Sequence, residues 1–142
     1  MKVKASRNKT IQFSESEKKS LSEELIKINS KVSLCEIKNK IISQNLFDVL
    51  DYLPNNFVDL LIIDPPYNLT KKFNSNKFSA RTKDEYEEWL ESWLSKIIFS
   101  LKESSSIYIC CDWYSSSSVE KVASKYFIPR NRITWERIGR AH

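Results

Sequence analysis

The sequence predicts an α/β fold: a mostly parallel sheet of about four strands with flanking helices, preceded by a separate N-terminal helix. Two apolar runs of strand length, Val58 to Ile63 and Ser106 to Cys111, are separated by a segment, Asp84 to Lys102, whose apolar residues recur at helical spacing. Strands alternating with helices in this way join by right-handed crossovers and so build parallel sheets. With 142 residues, 41% of them hydrophobic, the chain is of one-domain size and can bury a core.

Residues 1–13 are polar and basic and read as a loose arm. Ser14 followed by Glu17 is a capping box, and Leu21, Leu25, Ile28 and Val32 recur every three to four residues, which predicts a helix over 15–31. Lys40-Ile41-Ile42 is a short strand, and Asn45 to Leu53 a short helix with Phe47, Leu50 and Leu53 turned inward, ended by Pro54-Asn55-Asn56. Val58-Asp59-Leu60-Leu61-Ile62-Ile63 is of the kind buried on both faces of a parallel sheet. Leu69 to Thr82, carrying Lys71, Lys72, Lys77 and Arg81, has no period and reads as a long loop, of the kind that is usually functional or disordered.

Tyr86, Trp89, Leu90, Trp93, Leu94, Ile97 and Leu101 form one apolar stripe over 84–102, with the acids crowded into the first half as the helix dipole favours. At that spacing Trp89 and Trp93 are packing residues rather than stacking platforms. After the strand 106–111 come a serine run, Ser115 to Ser118, suited to a turn and helix cap, a short helix over 119–126, and a strand near Arg132-Ile133-Thr134-Trp135. The domain division expected from this is 1–38, a basic arm and helix, and 39–142, the functional portion.

Composition narrows the function. The net charge of +5 belongs wholly to residues 1–40, which hold ten Lys or Arg against five Glu, while 41–142 balance at 13 of each. Such an arm can neutralise phosphates without reading sequence, or simply form a solvated helix face. Cys35, Cys110 and Cys111 form no even framework and no C-x-x-C spacing, so no metal site is expected, and the adjacent pair reads as small buried core residues. No apolar run approaches the roughly 20 residues that span a bilayer, and no apolar stretch backs the charges of Met1-Lys2-Val3-Lys4, so the protein is expected in a reducing cytoplasm. Glycine occurs once, as Gly139, where about 7% of a typical chain would be expected. Neither G-x-G-x-x-G nor a P-loop is present, which argues against a nucleotide hydrolase with Asp64 as its magnesium ligand.

The chemistry concentrates at Asp64-Pro65-Pro66-Tyr67-Asn68, directly after the strand 58–63. Ligands of open α/β sheets bind beyond the carboxyl ends of the strands, and Asp64 stands there. The two prolines fix the backbone and remove two donors, leaving their carbonyls without local competition. An exocyclic amino group is a poor nucleophile because its lone pair is delocalised into the ring. Acceptors for both its N–H bonds, the Asp64 carboxylate and a proline carbonyl, favour a tetrahedral nitrogen with a localised lone pair, and no strong base is needed before attack. A base in duplex DNA must be flipped out to reach such a site and then held by stacking, for which Tyr67 supplies the ring and Asn68 a further amide.

An apolar strand followed by Asp64-Pro65-Pro66-Tyr67-Asn68 resembles the catalytic motif of the amino-methylating DNA methyltransferases. The Val58–Ile63 strand, the Glu88-Trp89 helix, the strand to Cys111-Asp112-Trp113, and Ile133-Thr134-Trp135-Glu136-Arg137 resemble successive blocks of that family's permuted, beta-type group, so the likeness covers roughly residues 40–137. The resemblance implies a partial Rossmann-like methyltransferase sheet, S-adenosylmethionine as cofactor and double-stranded DNA as partner. It assigns Asp64, Pro65, Pro66 and Tyr67 to catalysis, Asn68, Lys71 and Lys72 to substrate, and Asp64 and Pro65 also to the cofactor. Asp at the first motif position leans toward adenine N6 over cytosine N4, and away from protein-glutamine methylation.

The sequence departs from the family in three places. Its single glycine excludes the Phe-x-Gly-x-Gly turn that seats the methyl donor. Gln44-Asn45 stand where Gly-Asp is frequent. The segment Glu136 to His142 begins like the next block and stops. The expectation is therefore a front portion of a longer enzyme, which alone binds the donor weakly and does not turn over. A second polypeptide would then complete the fold; the other reading is a non-catalytic DNA-binding subunit. His142, terminal and the only histidine, is incidental.

Overall fold

The computed structural model describes residues 13–73 and 76–135. The basic arm 1–12, Gly139, Glu136-Arg137 and His142 lie outside the described residues. The chain divides into two compact units, Met1–Pro54 and Asn55–His142. The architecture is α/β, with short, mostly parallel pairs of strands and flanking helices, consistent with a partial Rossmann-like methyltransferase fold. The described strands form three separate pairs in place of the expected single sheet of four.

In the first unit, α1 (Glu15–Glu23) begins as predicted: the Ser14 N–H donates to Glu17 Oε2 at 2.8 Å and the Glu17 N–H to Ser14 Oγ at 3.2 Å. It ends eight residues earlier than expected, at Glu23 instead of 31, because Leu25–Ile26 form β1, which pairs in parallel with β2 (Ile41–Ile42). Periodicity continued through β1, but none of the residues of α1 is buried, so tertiary pairing decided the conformation. The side chain of Gln44 extends the pairing. Its Oε1 accepts from the Ile28 N–H at 2.5 Å and its Nε2 donates to the Ile28 carbonyl at 3.0 Å. A helical turn absent from the expectation, α2 (Leu34–Ile37), starts at Ser33, whose N–H donates to Glu36 Oε2 at 2.7 Å.

Helix α3 (Leu46–Val49) is capped by Asn45, whose Oδ1 accepts from the Phe47 N–H at 3.1 Å, and passes into a 3₁₀ turn over Leu50–Tyr52. Gln44 thus ties the segment after β2 to the segment after β1, and Asn45 starts α3. Val49 and Leu50 are buried there, whereas Phe47 is exposed, contrary to expectation.

In the second unit, β3 (Val58–Ile63) and β6 (Leu101–Ile109) pair in parallel, from Leu60↔Ser106 to Ile63↔Ile109, with a shift of register between Val58 and Leu60. Helix α4 (Lys83–Ile97), followed by a 3₁₀ turn over Ile98–Ser100, forms the crossover. It stops short of the predicted 102 because Leu101 is already paired with Val58. The strands alternate in burial: Leu61, Ile63, Ile107 and Ile109 are half-buried, while Leu60, Ile62 and Tyr108 are exposed, Ile62 by 67%. The expectation of burial on both faces therefore fails, since only one face of this pair is covered among the described residues. For the same reason Cys110 and Cys111 are exposed rather than core residues.

The core is the stripe of α4. Tyr86, Leu90, Trp93, Leu94 and Ile97 are buried together with Val119 and Val122 of α5 (Ser116–Ala123). Trp93 packs edge-to-face on Trp89 at 6.0 Å, and Trp89 meets Tyr86 and Phe78 at 5.6 and 5.5 Å, so both tryptophans are packing residues as predicted. Across the two helices, Lys121 pairs with the buried Glu87, which also accepts from Ser118 at 3.1 Å, and Lys125 pairs with Glu91 at 2.5 Å. The Lys121 hydrogen bond holds the Glu87 carboxyl below its ordinary range.

Two further corrections concern loops. The stretch read as an unstructured loop contains an antiparallel hairpin, β4 (Lys71–Phe73) with β5 (Asn76–Phe78). Triplets without alternation hid the strands in the sequence. The strand expected at 132–135 does not form: that stretch is irregular, and Ile133 and Trp135 are exposed. Without a neighbour to supply a ladder, β-branched and aromatic content is not enough.

Candidate active site

The end of β3 turns directly into Asp64-Pro65-Pro66-Tyr67. Asp64 and Pro66 are exposed, Pro65 is buried, and Tyr67 and Asn68 are half-buried. The ladder with β6 continues one step further, the Cys110 N–H donating to the Ile63 carbonyl at 2.8 Å. The carboxyl ends of two adjacent parallel strands thus meet here, and each carries an acid just beyond its end, Asp64 and Asp112.

A residue not singled out for the site holds the motif from beneath. Tyr86, in the first turns of α4 and 1% exposed, donates its hydroxyl to the Pro66 carbonyl at 3.1 Å. Pro66 therefore has its carbonyl engaged, whereas among the described residues the Pro65 carbonyl has no such donor. The signal in the sequence was a tyrosine on an otherwise apolar helical stripe: a buried hydroxyl needs a partner. Burial pushes the Tyr86 phenol up to about 12, with Ser115 drawing it down and Asp112, Cys111 and Tyr67 adding to the rise. Burial also raises Tyr67, helped by a hydrogen bond to Asp64 and by its charge. Both rings are neutral phenols near pH 7.

Asn68 and the hairpin form the outer wall. The Asn68 Nδ2 donates to the Arg81 carbonyl and its Oδ1 accepts from the Arg81 N–H, each at 2.8 Å, and the Ala80 N–H donates to Thr70 Oγ1 at 3.0 Å. These bonds close the base of the hairpin directly before Thr82, the cap of α4. Lys71 and Lys72 lie on β4, with Lys72 opposite Lys77. The Arg81 guanidinium lies over Phe78 and Trp89, at 5.2 and 5.4 Å. A groove between α4 and α5, lined by Asp84, Glu87, Glu88 and Glu91 together with Lys121 and Lys125, stands apart from Asp64.

The DNA methylase family model, of the N6/N4 methyltransferase type, matches residues 58–141, more than half of the chain. The chain belongs to this DNA methylase family. It is 34% identical over 100 residues to the Type II methyltransferase M1.MboII of Moraxella bovis, a match covering 70% of this chain and 37% of that one. It is 31% identical over 109 residues to the Type II methyltransferase M.BglII of Bacillus subtilis, covering 70% and 29%. It is 30% identical over 86 residues to the DNA adenine methyltransferase YhdJ of Escherichia coli (strain K12), covering 61% and 29%. The methylase chain thus spans between 29% and 37% of the length of these three relatives. No solved structure gives a significant match. No helix among the described residues is long and apolar enough to cross a membrane.

The described residues do not make a seat for the methyl donor of the methylase family. A sulfonium nucleoside needs a close backbone approach, the role of glycine at a strand end. Among the described residues there is no glycine, and the two left-handed positions, Asn39 and Asn56, precede β2 and β3 rather than follow a strand.

One prediction arises from Tyr86. Its folded value lies above the ordinary 10.0, so the stability tied to its neutral form is complete below pH 10 and is lost as pH rises toward 12. In thermal unfolding followed by circular dichroism, the midpoint should hold steady up to pH 10 and fall above it. Tyr86→Phe should lower the plateau, by about 1–3 kcal/mol for a carbonyl left without its donor, and weaken the alkaline fall. An identical alkaline fall in the variant would show that Tyr86 is not its source.

Proposed function

We propose that this chain provides the base-holding half of a DNA methyltransferase that transfers the methyl group of S-adenosylmethionine to the N6 of a flipped adenine. The observation that carries the reading is Asp64 at the end of β3, beside Tyr67, on a Pro-Pro turn pinned from below by Tyr86. In this reading the Asp64 carboxylate and the Pro65 carbonyl accept the two amino N–H bonds and localise the nitrogen lone pair. Tyr67 stacks on the base. The donor, when bound, supplies an electrophilic methyl group; Asp64 and Pro65 border it, and the rest of its seat comes from elsewhere.

Asn68 acts in this scheme through the loop it closes, setting the hairpin that carries Lys71 and Lys72 to the DNA backbone. The glycine turn that would complete the donor's seat is absent from these 142 residues, so this reading has it supplied from outside them. The experiment is methyl incorporation from labelled S-adenosylmethionine into DNA, with the product nucleosides separated by mass. The purified chain alone should give no product, and addition of a polypeptide carrying the glycine-rich turn should give N6-methyladenine. N4-methylcytosine as the product would overturn the choice of adenine, and robust transfer by the chain alone would overturn the need for a partner.

A further inference from the structure

Beyond β6 the chain makes a turn that is held on both sides. The Ser115 N–H donates to Asp112 Oδ1 at 2.8 Å, the Ser115 hydroxyl bonds the same oxygen, and the Ser116 hydroxyl donates to the Trp113 carbonyl at 2.8 Å. This fixed turn puts two aromatic side chains into solvent, Trp113 exposed by 75% and Tyr114 by 84%. The Arg132 guanidinium lies over the Trp113 ring at 4.7 Å from its centre. Ile133 and Trp135, on the same irregular stretch as Arg132, are exposed as well.

Exposed aromatic rings combined with arginine are characteristic of contact surfaces rather than of idle surface. The chemistry here favours nucleic acid. Residues 128–142 hold four arginines, Arg130, Arg132, Arg137 and Arg140, against one acid, Glu136. An indole offers a stacking face to any base, and a guanidinium offers a planar fork that fits phosphate. The location agrees: Trp113 directly follows Asp112, just beyond the end of β6, and holds Arg132 over its ring. The patch therefore borders the strand ends that carry the motif.

We propose that Trp113, Tyr114 and Arg132 form a contact for the DNA strand flanking the flipped nucleotide, the rings stacking on the adjoining base, whose stacking neighbour has swung out, and Arg132 taking a phosphate. The proposal rests on the methyltransferase reading above and adds a surface that the motif does not include.

The test is fluorescence anisotropy of the full 142-residue chain with two labelled duplexes, one fully paired and one with a single adenine opposite an abasic site, over a range of salt. Trp113→Ala should weaken binding to the unpaired-adenine duplex roughly tenfold, the loss of one stacked base, with little effect on the paired one, and Trp113→Phe should restore it. Arg132→Ala should weaken both duplexes and make the salt slope shallower by about 0.9, as for one phosphate lost. Circular dichroism of each variant checks that the fold is kept. Wild-type affinity and slope in both alanine variants would overturn the proposal and leave the patch to a protein partner. Tyr67→Ala separates this from the parent reading. If it alone weakens the unpaired-adenine complex, the flanking contact fails while the base pocket stands; if the wild-type chain binds neither duplex, both fail.

Discussion

Replacing Trp93 with alanine is expected to cost the second unit about 3–5 kcal/mol, the range for removal of a buried tryptophan. A typical domain has only about 5–15 kcal/mol in total, so the urea midpoint should fall by a large fraction or the unit should be unfolded at the outset. Trp93 is 2% exposed and touches Trp89 at 6.0 Å, so its removal opens a cavity in the middle of the only stripe that α4 buries. Its indole N–H has no acceptor among the described residues. Trp93→Phe should therefore recover most of the loss, because it keeps a ring in the cavity and deletes a buried donor without a partner. An alanine variant with an unchanged midpoint would mean that the α4 stripe is not the core.

The second large effect is expected at Asp64. In a duplex presenting one unpaired adenine, Asp64→Ala should reduce the affinity of the chain by about 10- to 100-fold, the size of a lost hydrogen bond to a charged group. Fully paired DNA should bind the variant as well as the wild type, or slightly better, since an exposed negative charge has been removed from the proposed DNA-facing surface. The contrast between the two duplexes, read by anisotropy, distinguishes recognition of a base from general attraction to phosphate. Equal losses on both would assign Asp64 to folding rather than to the base.

Much of this site was legible because it is local in sequence. Five consecutive residues after an apolar strand point to a candidate chemistry and to a place in an α/β sheet, and neither needs a distant partner to be read. Helix α4 was legible for the same reason, with its stripe repeated over four turns. What the sequence hid was non-local. Tyr86 lies 20 residues from the carbonyl it holds, and nothing in its neighbourhood names Pro66 as the acceptor. Residues Leu25–Ile26 continued a helical period and became a strand only because Ile41–Ile42 were available to pair. The converse happened at 132–135, where strand-forming residues found no ladder. The burial of β3 was misjudged because its composition reflects two covered faces, whereas only one is covered among the described residues.

The central claim is that Asp64 and the turn it opens hold an exocyclic amino group. The most direct measurement compares two duplexes that differ only in that group, one with an unpaired adenine and one with an unpaired purine, which has the same ring system without the amine. The account predicts that the wild-type chain binds the adenine duplex about tenfold more tightly, as one good hydrogen bond to a charged acceptor would give, and that Asp64→Ala binds the two alike. Equal affinity of the wild-type chain for adenine and purine would contradict it.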